Sequence, residues 1–185
     1  QRLGPITGSD EPAVRCLLDR LWTAMGHPRI SESAVPASQL YLSNLKNAVH
    51  WSVKMISIDV LCDDVARHPA HAFHTATHLS NLLSVSEHLP VREKAGQGLL
   101  RIADKLSMDQ LNEIVVDLTR ELETGQEEVS RYIPRYLGPL LCRLPHKELE
   151  ESLTFLEDFV RTTSISSARA ALLTLGVVLS ELLRT

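Results

Sequence analysis

Apolar residues recur along this chain with two superposed rhythms. Within a segment they return every three or four positions: Val91, Ala95, Leu99, Ile102 and Leu106 in one stretch, then Leu111, Ile114, Val115, Leu118 and Leu122 in the next. Each set lines one face of an α-helix, so the spacing predicts helices over 91–106 and 108–122. Between segments the pattern returns after 38 residues. Val91 aligns with Val129, Ala95 with Ile133, Leu99 with Leu137, Ile102 with Leu140 and Leu106 with Leu144, and a second step reaches Ala171, Leu175, Val178 and Leu182. A helix pair of this size buries its apolar face by stacking on copies of itself, which predicts an all-α helical-repeat solenoid.

The repeats are expected within 37–185, in units near 47–85, 90–125, 127–163 and a partial 166–185. A step of 38 before Val91 and Leu99 lands on Val53 and Leu61, whereas the same step before Ile102 lands on Asp64, a loosening expected of a terminal repeat with one side facing water. Pro69 closes the first helix and 70–85 forms its partner. Ser107 is placed to cap the helix over 108–122, and Gly125 to end it. Pro134, Gly138 and Pro139 predict a kink in the next first helix. Its partner over 146–162 turns Leu149, Leu153, Leu156 and Val160 inward, and Ser166 or Ser167 opens the last helix. Ahead of the repeats, 1–36 reads as a tail, one extra helix lined by Val14, Leu17, Leu18, Leu21 and Met25, and a linker with Pro28 and Pro36.

Composition sharpens this picture. Apolar residues make up 44% and aromatic residues 4% of the 185, a Leu, Ala, Val and Ile mixture that suits closely packed helices. The formal net charge of -4 gives no general attraction to nucleic acid. Cys16, Cys62 and Cys142 are odd in number and widely spaced, which fits thiols of a reducing cytoplasm rather than a disulfide framework or a cysteine zinc site. No apolar run has the length of a membrane span. The start at Gln1 and the apolar character of 170–183 together lead to the expectation that this is a piece of a longer protein.

Two antiparallel helices in about 38 residues, a proline-bent first helix, short turns and the phrase Val91-Arg92-Glu93-Lys94-Ala95-Gly96 opening a unit resemble HEAT repeats, over about 47–184. The resemblance implies a right-handed superhelix of antiparallel helix pairs in the armadillo-like class. It also implies second helices lining a concave surface, and work as a scaffold or docking module without catalytic residues. Residues 68–79 and 132–145 also resemble helical segments of large bacterial multidomain proteins that carry a nucleotidyltransferase-like domain. An accessory domain of such an enzyme is what that likeness implies.

Candidate chemistry is concentrated in the histidines. His68, His71, His74 and His78 lie within eleven residues, and on a continuous helix His71, His74 and His78 share one stripe. Imidazoles one turn apart can share zinc or another transition metal, with Asp63 or Asp64 the nearest acidic candidates for a further ligand. A metal-binding, possibly hydrolytic site on this segment is therefore the alternative to an interaction module, and a polar surface stripe is the simpler account of the same residues. Hydrolase and nucleotide-binding templates do not match: the chain has no His-Asp or His-Glu pair, no phosphate-cradling glycine loop, no HExxH and no GxSxG.

The second helices carry a different signal. Asp109, Glu113, Asp117 and Glu121 recur at intervals of four, and Glu151 and Asp158 decorate the following partner helix with other acids. Such a face would steer a basic protein or peptide. Basic residues Arg92, Lys94, Arg101, Arg131, Arg135 and Arg143 fall instead on first helices, where a nucleic-acid groove would have to form. The reading that results is a non-catalytic protein-interaction module of the cytoplasm, needing no cofactor, with neither a nucleic acid nor a membrane as partner.

Overall fold

The computed structural model describes Arg20, Tyr41, Leu42 and residues 45–47, 50–124 and 131–184, and side chains at 124, 166 and 167 are outside that description. Among these residues the regular structure is entirely helical. It comprises α1 (Trp51–Arg67), α2 (Ala72–Val85), α3 (Leu89–Ile102), α4 (Met108–Thr124), α5 (Pro134–Leu141), α6 (His146–Thr162) and α7 (Ile165–Leu182), with 3-10 turns at Pro69–His71 and Ala103–Lys105. The expected helix and linker within 1–36, apart from Arg20, lie outside the described residues, as do Gly125 and Val129. No helix among those described is long and apolar enough to cross a membrane.

Local chemistry accounts for most boundaries. Ser107 and Gln110 form a reciprocal capping box at the start of α4: the Gln110 amide donates to Ser107 Oγ at 3.2 Å, and the Ser107 amide donates to Gln110 Oε1 at 3.0 Å. Pro90 and Pro134 occupy the first turns of α3 and α5, where a missing amide proton costs nothing. The expected helix over 91–106 instead ends at Ile102 and tightens into the Ala103–Lys105 turn. α5 runs for eight residues from Pro134, with Pro139 inside it. Ser164, not Ser166 or Ser167, stands at the N-cap of α7, its extended backbone placing its carbonyl to accept from the Ala168 amide at 2.9 Å.

The helices pack in a regular order. α3 lies against α1 and α2; α5 lies against α3, α4 and α7; α4 also touches α2 and α7; α6 docks on α7. The odd-numbered helices thus follow one another as one layer, and α2, α4 and α6 flank them. The aligned apolar positions form the core: Val91, Ala95, Leu99, Ile102 and Leu106 are buried, and so are Ile133, Leu137, Leu140 and Leu144. Removing each large aliphatic side chain from water stabilises the fold by roughly 1.5–3 kcal/mol. In the last step Ala171 and Val178 remain buried, Leu175 is half-buried, and Leu182 is exposed along with Leu172, Leu179 and Leu183. Tyr41, Leu42 and Leu45 join the same core beside α1 and α2.

Each contact between successive odd helices closes over a glycine. A Cβ at Gly98 would press on Cys62 and Ile58 of α1, one at Gly96 would enter the ring of Tyr136 on α5, and one at Gly138 would collide with Val177 of α7. Gly138, expected only to weaken its helix, is therefore a site of close approach. Tyr136 is buried, and its hydroxyl donates to the carbonyl of Glu93 at 3.3 Å.

Candidate functional site

The histidine segment folds differently from one helical stripe. Pro69 cannot continue α1, and the chain turns through the 3-10 segment before α2 begins at Ala72. His71 therefore sits on the turn, directed back to α1, while His74 and His78 sit one turn apart on α2. Asp64 receives both turn-side histidines. His68 Nδ1 is 3.0 Å from Asp64 Oδ1, and His71 Nδ1 is 2.8 Å from Asp64 Oδ2. His74 and His78 form a separate pair with their Nε2 atoms 3.3 Å apart. Among the described residues, the trio whose ligand-capable atoms come within 4.8 Å of one another is Asp64, His68 and His71, rather than His71, His74 and His78.

The electrostatics follow from this placement. Asp64 is buried, and its side chain keeps 12% exposure. Burial works to raise its pKa, but the hydrogen bonds from His71 and then His68 outweigh it and hold the carboxyl below its ordinary value. The two imidazoles keep about half their surface in water, at 59% for His68 and 48% for His71. Burial lowers the pKa of His78, helped by the positive charge of Lys46 and by His74.

Helices α4 and α6 carry the acidic residues singled out in the sequence, and two surface grooves border α4. Between α4 and α6 lies a groove of about 370 Å³, whose lining includes Val116, Arg120, Glu123, Glu148, Glu151 and Phe155. Val116 and Phe155 are exposed apolar side chains. Oε2 of Glu148 is buried and has no hydrogen-bond partner among the described residues. A smaller groove of about 170 Å³ between α2 and α4 includes Asp117 and Glu121 among its lining residues. Asp109, Glu113 and Asp158 are exposed on the same helices outside both linings. Sequence periodicity singled out Glu151, Asp117 and Glu121 but missed Val116 and Phe155, because an exposed apolar residue on a helix is visible only once its neighbours are placed.

The basic residues of the odd helices are engaged by neighbouring helices. Lys94 pairs with Asp59 at 2.6 Å, Arg101 with Asp63, and Arg143 with Asp104 at 3.0 Å while also donating to the Leu100 carbonyl. Arg92 is buried with its Nε donating to the Ser86 carbonyl, and Arg131 and Arg135 lie over the rings of Tyr132 and Tyr136. The pairs made by Lys94, Arg101 and Arg143 tie successive odd helices together, whereas Arg131 and Arg135 contact the rings of their own chain neighbours. No known protein-family model, curated protein or solved structure matches the chain.

Proposed function

We propose that this chain is a non-catalytic docking module, a HEAT-like stack of helix pairs whose α4–α6 groove takes a basic, amphipathic segment of a partner protein. The unpartnered, buried carboxylate oxygen of Glu148 in that groove carries the reading. A buried acceptor without a donor is costly, and a lysine or arginine entering the groove would supply the missing hydrogen bond with charge assistance. Val116 and Phe155 offer an apolar floor beside it, and Glu123 and Glu151 give the lining a negative excess over its one arginine, Arg120. Apolar anchor and acidic rim together suit an amphipathic helix with basic flanks. The layered order of the helices and the burial of positions 38 residues apart support the solenoid reading.

The test is fluorescence anisotropy with a labelled model helix of leucine and arginine, and with its leucine and glutamate counterpart as control. The arginine peptide is expected to bind, to lose about tenfold in affinity with Phe155→Ala, and to weaken with Glu148→Gln and with added salt. Equal binding of both peptides, or indifference to Phe155→Ala, would contradict this site.

A further inference from the structure

We propose that Asp64, His68 and His71 form a binding site for a divalent transition ion of the zinc class, with the carboxylate and the two Nδ1 atoms as ligands. The site is separate from the α4–α6 groove and does not depend on the docking reading.

The first support is geometric. Each carboxylate oxygen of Asp64 already faces one imidazole nitrogen, at 3.0 Å for His68 and 2.8 Å for His71, and the three groups offer atoms within 4.8 Å of one another. Zinc bonds of about 2.0–2.1 Å arranged tetrahedrally hold ligand atoms about 3.3 Å apart. The two carboxylate–imidazole pairs therefore need to open by only a few tenths of an ångström, while the two imidazole nitrogens, within 4.8 Å of each other, turn toward a shared ion. Both rings are about half exposed. Each can thus shift its proton from Nδ1 to a solvated Nε2 and present a neutral lone pair to the ion. An oxygen and two imidazoles form a donor set that zinc accepts, leaving a position for water.

The second support is where the carboxylate stands. Asp64 occupies the position that Ile102, Leu140 and Val178 fill in later units, and like them it is buried. A carboxylate at a core position is costly unless it is paired. Its partners among the described residues are the two histidines, while the adjacent Asp63 is taken by Arg101. Pro69 and the 3-10 turn bring His71 back onto the carboxylate seven residues earlier, so the end of α1 and the start of α2 would be clasped by one ion.

The experiment is calorimetric titration of Zn²⁺ alone into the tag-free, metal-stripped full chain, with Co²⁺ absorption reporting the ligand field. One equivalent is expected to bind and to raise the melting temperature. His68→Ala/His71→Ala should weaken binding about 100-fold or more, with circular dichroism checking that the helices survive the loss of both partners of Asp64. Asp64→Leu restores the aliphatic residue of the equivalent positions, so it should keep its helical circular dichroism and lose the metal response. His74→Ala/His78→Ala should bind as the parent does. Absence of stoichiometric binding, binding that survives loss of His68 and His71, or binding lost with His74 and His78 would each overturn the assignment.

Discussion

Cys62 on α1 points its Sγ at the carbonyl of Gly98 on α3, 3.8 Å away, and Cys142 at the C-cap of α5 repeats the gesture toward Val178 on α7 at 3.9 Å. Both contacts span 36 residues, and both sit where an odd helix meets the next. Where α3 meets α5 the ties are polar: Tyr136 donates to the Glu93 carbonyl and Arg143 to the Leu100 carbonyl, each across 43 residues. One packing relation is thus used more than once along the chain.

Burial at this contact makes Cys62 unreactive. Desolvation raises its thiol pKa from 9.0 to about 11, with Arg101 only partly opposing. The thiolate is the nucleophile, so at pH 8 its population in the folded chain should be about 100-fold below that of the unfolded chain. Iodoacetamide labelling followed by peptide mapping should find Cys62 slower by at least that factor than in urea, with the folded rate still rising as pH increases from 8 to 10. Rapid labelling of folded Cys62 at pH 8 would show that the α1–α3 contact opens readily.

Two glycines should respond oppositely to the same substitution. Gly138 lies under Val177, and a Cβ there displaces the α5–α7 contact, so Gly138→Ala should lower stability by about 1–3 kcal/mol. Gly176 lies within α7 with nothing within 4 Å of a built Cβ. Gly176→Ala should stabilise by about 0.5–1 kcal/mol, because alanine has less backbone freedom to lose in a helix. Urea denaturation of the two variants decides the matter, and equal effects would mean that Gly138 is not a packing contact.

The capping box at α4 provides a local test. Ser107→Ala removes the acceptor for the Gln110 amide and should cost about 1 kcal/mol, whereas Ser107→Asp should hold stability near the parent. Chemical denaturation measures both, and a neutral alanine variant would leave the cap without energetic weight.

The positions of the core were legible because burial at Leu99 and Leu137 is fixed by helical spacing and by a repeat that the residues themselves carry. Ser107 was legible as a cap for the same reason, since its hydroxyl serves an amide within its own turn, whereas the reciprocal bond from Gln110 emerged only in the structure. His71 was not. Counting along a continuous helix placed it with His74 and His78, but Pro69 interposes a 3-10 turn, and the group that draws His71 is Asp64 on the preceding helix. The misfit of Asp64 against Ile102 was visible in the alignment, yet its two partners depend on how the chain reverses. The close contact at Gly138 was not legible, since a breaker and a close contact use the same residue, and Ser166 or Ser167 was taken for the cap that Ser164 makes because several serines near a helix start compete for it. The α4–α6 groove has no local signal, because it exists only in the space between two helices.

Substitution of equivalent core leucines offers the strictest check on the repeat. Leu99 and Leu137 are 38 residues apart, fully buried, and on helices of the same layer. An unpaired carboxylate at either would have to be desolvated with no donor facing it, so Leu99→Asp and Leu137→Asp should each destabilise by more than about 4 kcal/mol, a large part of the stability of a typical domain. Leu172 and Leu179 share the apolar character of α7 but keep 54% and 61% of their surface in water. Aspartate there should change stability by less than about 1 kcal/mol in the isolated chain. Circular dichroism melting curves of the four variants separate the two classes. A Leu137→Asp variant that melts with the parent would show that this position does not share the core with Leu99, and the register that aligns the two would be wrong.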